Sequence, residues 1–135
     1  MSAKKTTSAA PTAPRPTDAE LSILRVLWDR GAATVREVHE ELSARKPQVY
    51  TTVLKFLQIM TEKGLVKRDE SARTHIYRAA VPPERMQRSM VKDLVQRLFA
   101  GSTQALVQQA LGSGKVTPEE ISEIRRTLDA LERGE

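Results

Sequence analysis

Residues 50–78 read YTTVLKFLQIMTEKGLVKRDESARTHIYR, and the hydrophobic period changes partway along them. Val49, Val53, Phe56, Leu57 and Met60 recur at helical spacing. This predicts a helix over about 49–63 that stops at Gly64 with those five residues toward the core. Beyond Gly64 the period shortens. Residues 65–69 and 74–78 read as two strands around a short turn at 70–73, a hairpin. Alternation sets Val66 and Arg68 on one side and Leu65 and Lys67 on the other.

Working toward the N-terminus, Pro47 marks a short connection within 43–48. Before it, Thr34-Val35-Arg36-Glu37 is a capping box that opens a short helix with Val35, Val38 and Leu42 on one face. A second box, Thr17-Asp18-Ala19-Glu20, opens a helix whose stripe is Leu21, Leu24, Leu27 and Trp28, widened by Ile23 and Val26 and ended by Gly31. Residues 1–16 hold three prolines and, after Met1, no large apolar side chain. Such a segment cannot offset its ordering entropy and is expected to be a flexible tail. Toward the C-terminus, Pro82 and Pro83 precede helices expected at about 84–99 and 102–111. A last helix follows Gly112-Ser113-Gly114, opened by the box Thr117-Pro118-Glu119-Glu120.

Three helices and a hairpin, with a tight turn between helices two and three, is the order of a winged helix-turn-helix. The fold expected is mainly α with a small β wing. Its winged helix-turn-helix occupies 17–81 and a helical region occupies 82–135. Periodicity alone also admits another small α+β arrangement.

Composition narrows function. The 135 residues carry 22 Lys and Arg against 17 Asp and Glu, a net +5, with 39% apolar and 4% aromatic residues. There is no cysteine, which excludes disulfide scaffolds, thiolate metal sites and cysteine nucleophiles. No apolar run approaches a membrane span and no signal peptide is recognisable, so a cytoplasmic location without membrane association is expected. His39 and His75 are far apart and lack partners at ligand spacing, and the six glycines form no phosphate-cradling loop. Neither an enzyme nor a metal or other cofactor is expected.

The charge is unevenly spread. Residues 18–42 hold three basic and six acidic side chains, and residues 81–135 balance at eight each. Residues 43–80 hold eight basic against three acidic, an excess of +5 on the third helix and hairpin. Those are the elements a winged helix lays on DNA, where releasing counterions supplies much of the affinity. On the third helix, Thr51, Lys55 and Gln58 lie opposite the core face and are the candidates for base edges. Lysine can donate to guanine O6 and N7, and threonine can bond an edge or pack on a thymine methyl. Tyr50 and Thr52 near the helix start, with Lys67, Arg68 and Arg73 of the hairpin, are the phosphate candidates. Ile59 and Glu62 are read as structural or solvated.

TDAELSILRVLW (17–28), YTTVLKFLQIMTEKGLVKRDE (50–70) and THIYRA (74–79) resemble the penicillinase-repressor (BlaI/MecI) family of bacterial transcriptional regulators. The likeness covers about 17–131. It implies an N-terminal winged helix and a C-terminal helical part that dimerises, binding a palindromic double-stranded DNA operator. For several members it also implies release by a sensor-activated protease. Met86, Met90, Leu94 and Leu98 repeat at four, and Leu106, Leu111, Ile121, Ile124 and Leu128 continue an apolar surface suited to a homodimer. This chain departs from relatives that carry arginine at the place of Ile59 and threonine at that of Lys55. It has no asparagine, so the Asn-Phe bond cut in well-studied members has no counterpart. The expected function is a homodimeric transcriptional repressor. A small-molecule-responsive winged-helix regulator and a winged-helix protein-interaction module are the alternatives.

Overall fold

The computed structural model describes residues 15–135. The expected flexible tail lies outside the described residues except for Arg15 and Pro16, and Pro16 is buried, so order begins before Thr17. The elements are α1 (Asp18–Arg30), α2 (Val35–Ser43), α3 (Tyr50–Lys63), β1 (Val66–Asp69), β2 (Ile76–Ala79), α4 (Pro83–Leu98), α5 (Thr103–Gly112) and α6 (Pro118–Glu132). Two compact units divide the chain, one running to Val91 and the other from Lys92 to Glu135.

In the first unit, local chemistry fixes the helix ends. The Thr17 hydroxyl accepts from the Glu20 amide at 3.2 Å, and the Thr17 amide donates to Glu20 Oε1 at 2.9 Å. Thr34 and Glu37 repeat this exchange at the same distances. The Thr34 amide, with help from Arg30, outweighs desolvation and holds the Glu37 carboxyl below its ordinary value. Gly64 ends α3 in the left-handed conformation (φ 81°), where an L side chain would be strained.

The core joins all three helices to the wing. Ile23, Leu24, Leu27, Val38, Val53, Leu57, Met60, Leu65, Val66 and Tyr77 are buried together. Leu65 and Val66 are both 1–2% exposed although they are neighbours, against the alternation expected of a half-buried strand. The reason is that Leu65 precedes β1: its amide still bonds back to Met60 O at 2.9 Å, completing the helix end. Val49 also departs from expectation at 64% exposure, because it is the extended N-cap (φ −88°, ψ 130°) and not a turn of α3.

β1 and β2 are antiparallel, pairing Val66 with Ala79, Lys67 with Arg78, Arg68 with Tyr77 and Asp69 with Ile76. β2 starts two residues later than its sequence suggests, after a turn in which the Ser71 amide donates to Asp69 Oδ1 at 2.9 Å. A further pairing comes from the α1–α2 link: Ala33 and Tyr77 exchange both backbone hydrogen bonds, at 2.8 and 2.9 Å. Trp28 Nε1 donates to Val81 O at 2.9 Å, fastening α1 to the chain leaving the wing.

Among the described residues one carboxylate is buried. Glu20 is 2% exposed, and Lys63 Nζ donates to its two oxygens at 2.8 and 3.1 Å, joining the start of α1 to the end of α3. Burial pushes the Glu20 carboxyl up, but Lys63 and the Thr17 amide outweigh it and hold the group below its ordinary value.

Met86, grouped by its spacing with the apolar dimerisation stripe, is instead 2% exposed within this unit's own core, and Met90 packs partly against the same core. The first turns of α4 therefore pack on the winged helix.

In the second unit, Val95 of α4 is buried, whereas α5 and α6 contain no buried residue. Ser102 caps α5 by accepting from the Ala105 amide at 3.0 Å. Thr117 caps α6 by accepting from the Glu120 amide at 3.1 Å, which is the threonine half of the expected box. The α4–α5 turn places Ala100 at φ 52°, in the region that favours glycine, followed by Gly101 at 88°.

Candidate nucleic-acid interface

α3 presents the side chains singled out from its wheel. Thr51, Thr52, Lys55 and Gln58 are all exposed. Thr51, Thr52 and Lys55 share one shallow concavity with Phe56 and Ile59. Gln58 does not line it, so the structure groups Ile59 with Thr51 and Lys55 where the sequence reading had grouped Gln58.

The start of α3 is held from α2. His39 Nε2 lies 2.8 Å from Gln48 O, and its ring meets Tyr50 edge-on with centroids 5.6 Å apart. His39 is thus a fastening for the turn. The Val49 cap makes no side-chain hydrogen bond; the Thr52 amide bonds back to Val49 O at 3.1 Å, and the amides of Tyr50 and Thr51 are left open to an acceptor from outside.

A second groove lies between the first turn of α2, the first turns of α3 and the wing. Arg36, Tyr50, Leu54, Arg73, Thr74 and His75 are among the residues lining it. It unites the expected Tyr50 and Arg73 with Arg36 and Thr74, which sequence reasoning missed. Arg36 sits in the acidic segment, where charge counting hides it; its place one residue into the first turn of α2 was the available signal.

The wing's cations divide into two kinds. Arg68, expected to contact phosphate, is paired at the surface with its near neighbour: its Nε and Nη2 lie 3.0 and 2.9 Å from Glu70 Oε2. Contact with the Tyr77 side chain, then with Glu70, raises the Arg68 guanidinium above its ordinary value. Among the described residues, Lys55, Lys67, Arg73 and Arg36 have no carboxylate within ion-pair distance. On α2, Arg30 reaches Glu37 at 3.0 Å and Glu41 at 3.5 Å. No cluster of possible metal ligands is present among the described residues. No described helix is long and apolar enough to cross a membrane.

Three helices, a two-stranded wing and an exposed, cation-flanked third helix define a winged helix-turn-helix protein of the DNA-binding, transcription-regulating class. The sequence model of the penicillinase repressor family matches residues 16–130, and the chain belongs to that family. It is 35% identical over 119 residues to the transcriptional regulator BlaI of Mycobacterium tuberculosis, covering 87% of this chain and 85% of the relative. The penicillinase repressor of Bacillus licheniformis is 23% identical, with 86% and 91% covered. The methicillin resistance regulatory protein MecI of Staphylococcus aureus is 20% identical, with 82% and 90% covered. The solution structure of the monomeric form of Bacillus licheniformis BlaI in complex with the blaP half-operator matches 54% of this chain and 89% of that one, at 25% identity and a TM-score of 0.48.

Proposed function

We propose that the protein represses transcription in the cytoplasm as a homodimer on a palindromic operator, each protomer laying the N-terminal half of α3 in the major groove of one half-site. The observation that carries this reading is the exposed Thr51–Lys55 edge of α3 beside the uncommitted cations Arg36, Lys67 and Arg73. Thr51 and Lys55 meet base edges, with Gln58 toward the outer end of the helix. Tyr50, Thr52 and the open amides of α3 meet phosphate on one side, and Arg73 and Lys67 meet it on the other. Arg68 acts through the wing, holding Glu70 away from the phosphates.

Dimerisation belongs to the second unit. Leu94, Leu98 and Leu128 are 42%, 68% and 54% exposed, and Leu106, Leu111, Ile121 and Ile124 are half-buried. A unit this short cannot enclose a core alone, and a second copy laid on the same face closes it for both. Release by a sensor-activated protease would use a bond other than Asn-Phe, since the chain contains no asparagine.

A footprint on DNA selected from genomic fragments tests the reading. A two-fold footprint with half-site centres about 10 base pairs apart, or a multiple of that, is expected. An asymmetric footprint of one half-site overturns the dimer, and no protection at low ionic strength overturns DNA binding.

A further inference from the structure

Among the described residues up to Met90, the exposed large hydrophobics are Val49, Tyr50 and Ile59, and all three belong to α3 or its cap. Elsewhere among the described residues of the first unit, large apolar side chains other than Val91, at its last position in α4, are buried or half-buried, so Val49, Tyr50 and Ile59 coincide with the face turned to the groove. Ile59 is 37% exposed and shares its concavity with Thr51, Thr52, Lys55 and Phe56. An isoleucine there offers DNA no hydrogen bond. What it can meet favourably in the major groove is the C5-methyl group of thymine, the one apolar group a base pair displays there.

We propose that Ile59 is a specificity-determining residue that holds a thymine C5-methyl group in this concavity, two turns along α3 from Thr51. The inference rests on the DNA-reading role proposed above and adds to it a base preference. From residue 51 to residue 59 the helix rises about 12 Å, which spans about 3.5 base pairs at 3.4 Å each. Lys55 lies midway, where its ammonium group reaches a guanine O6 or N7. The recognised element is therefore a short run with a guanine near its middle and a thymine at the Ile59 end. The cations Lys67 and Arg73 supply the phosphate attraction that brings an otherwise apolar patch against a polar groove.

The test replaces each thymine of the selected half-sites, one position at a time and symmetrically, with deoxyuridine, which removes the methyl group and keeps the Watson–Crick edge and the O4 acceptor. Full-length wild type and Ile59→Ala are titrated against the series, with thermal melts to check that the variant is folded. At one position wild type is expected to lose about 4-fold in affinity per half-site, equivalent to about 0.8 kcal/mol for one buried methyl-sized group. Ile59→Ala is expected to bind the thymine and uracil forms of that position equally, and Ile59→Val to retain most of the difference. Wild type indifferent to uracil at every position overturns the proposal. Sensitivity that persists undiminished in Ile59→Ala overturns the assignment to Ile59. Both results leave sequence-specific binding standing, whereas failure to prefer the selected site over random DNA removes the DNA-reading role itself.

Discussion

Replacing Lys63 by methionine should invert the pH dependence that Glu20 gives the winged helix. In the wild type, Lys63 Nζ donates to both oxygens of a carboxylate that is 2% exposed. Methionine keeps much of the aliphatic stem and removes the charge. Breaking a buried pair costs about 3–5 kcal/mol; because the Lys63 side chain is 32% exposed and its charge is partly screened, we expect about 2–3 kcal/mol at pH 7. The sign of the pH effect then follows from linkage. The wild-type carboxyl is held below its unfolded value near 4.5, so its contribution is full above that pH and is lost as pH falls through the folded value. In Lys63→Met, burial, which pushes the carboxyl up, is opposed only by Thr17. Protonation then relieves the buried charge, and the gap between variant and wild type closes as the pH drops toward 4. Urea denaturation followed by the fluorescence of Trp28, which lies in the same unit, measures this at pH 7, 5.5 and 4. A difference below about 0.5 kcal/mol at pH 7, or one that does not narrow on acidification, would refute the account of this pair.

Three further outcomes are expected. Lys55→Ala should reduce discrimination between the operator and a variant site by about 1–3 kcal/mol; equal weakening on all sequences in a competition titration would make Lys55 a phosphate contact. Arg73→Ala should weaken binding uniformly and lower the salt slope by about 1, and Arg68→Ala should change that slope less, because its guanidinium already serves Glu70; equal slopes in the two variants would contradict this division. Ala100→Gly relieves a left-handed alanine and, after the entropy cost of glycine, should stabilise the second unit by about 0.5–1 kcal/mol, seen as slower amide exchange in α5.

What was legible in the sequence was local chemistry. The boxes at Thr17 and Thr34, the stop at Gly64 and the amphipathic stripe of α3 are decided by residues within a few positions of one another, and each appears where its spacing puts it. Pairings between distant segments were not legible. No periodicity announces that Ala33 pairs with Tyr77, that Arg68 spends its charge on Glu70, or that Met86 faces its own protomer's core. Val49 was misplaced because a wheel cannot tell a cap from a turn. The site was half legible for the same reason: the outward face of α3 follows from its own stripe, while Arg36 joins the groove only through the packing of α2 beside the wing.

The double backbone bond between Ala33 and Tyr77 gives the hairpin a fixed root, whereas the hydrogen bond at its tip, Ser71 to Asp69, is a local one. Length can therefore change at 71–73 without disturbing how the rest is assembled, while one residue inserted at 32–33 or 76–78 would slip the seam and turn Tyr77 out of the core. A designer wishing to lengthen this protein's reach along a duplex has one place to add residues, and it is the tip.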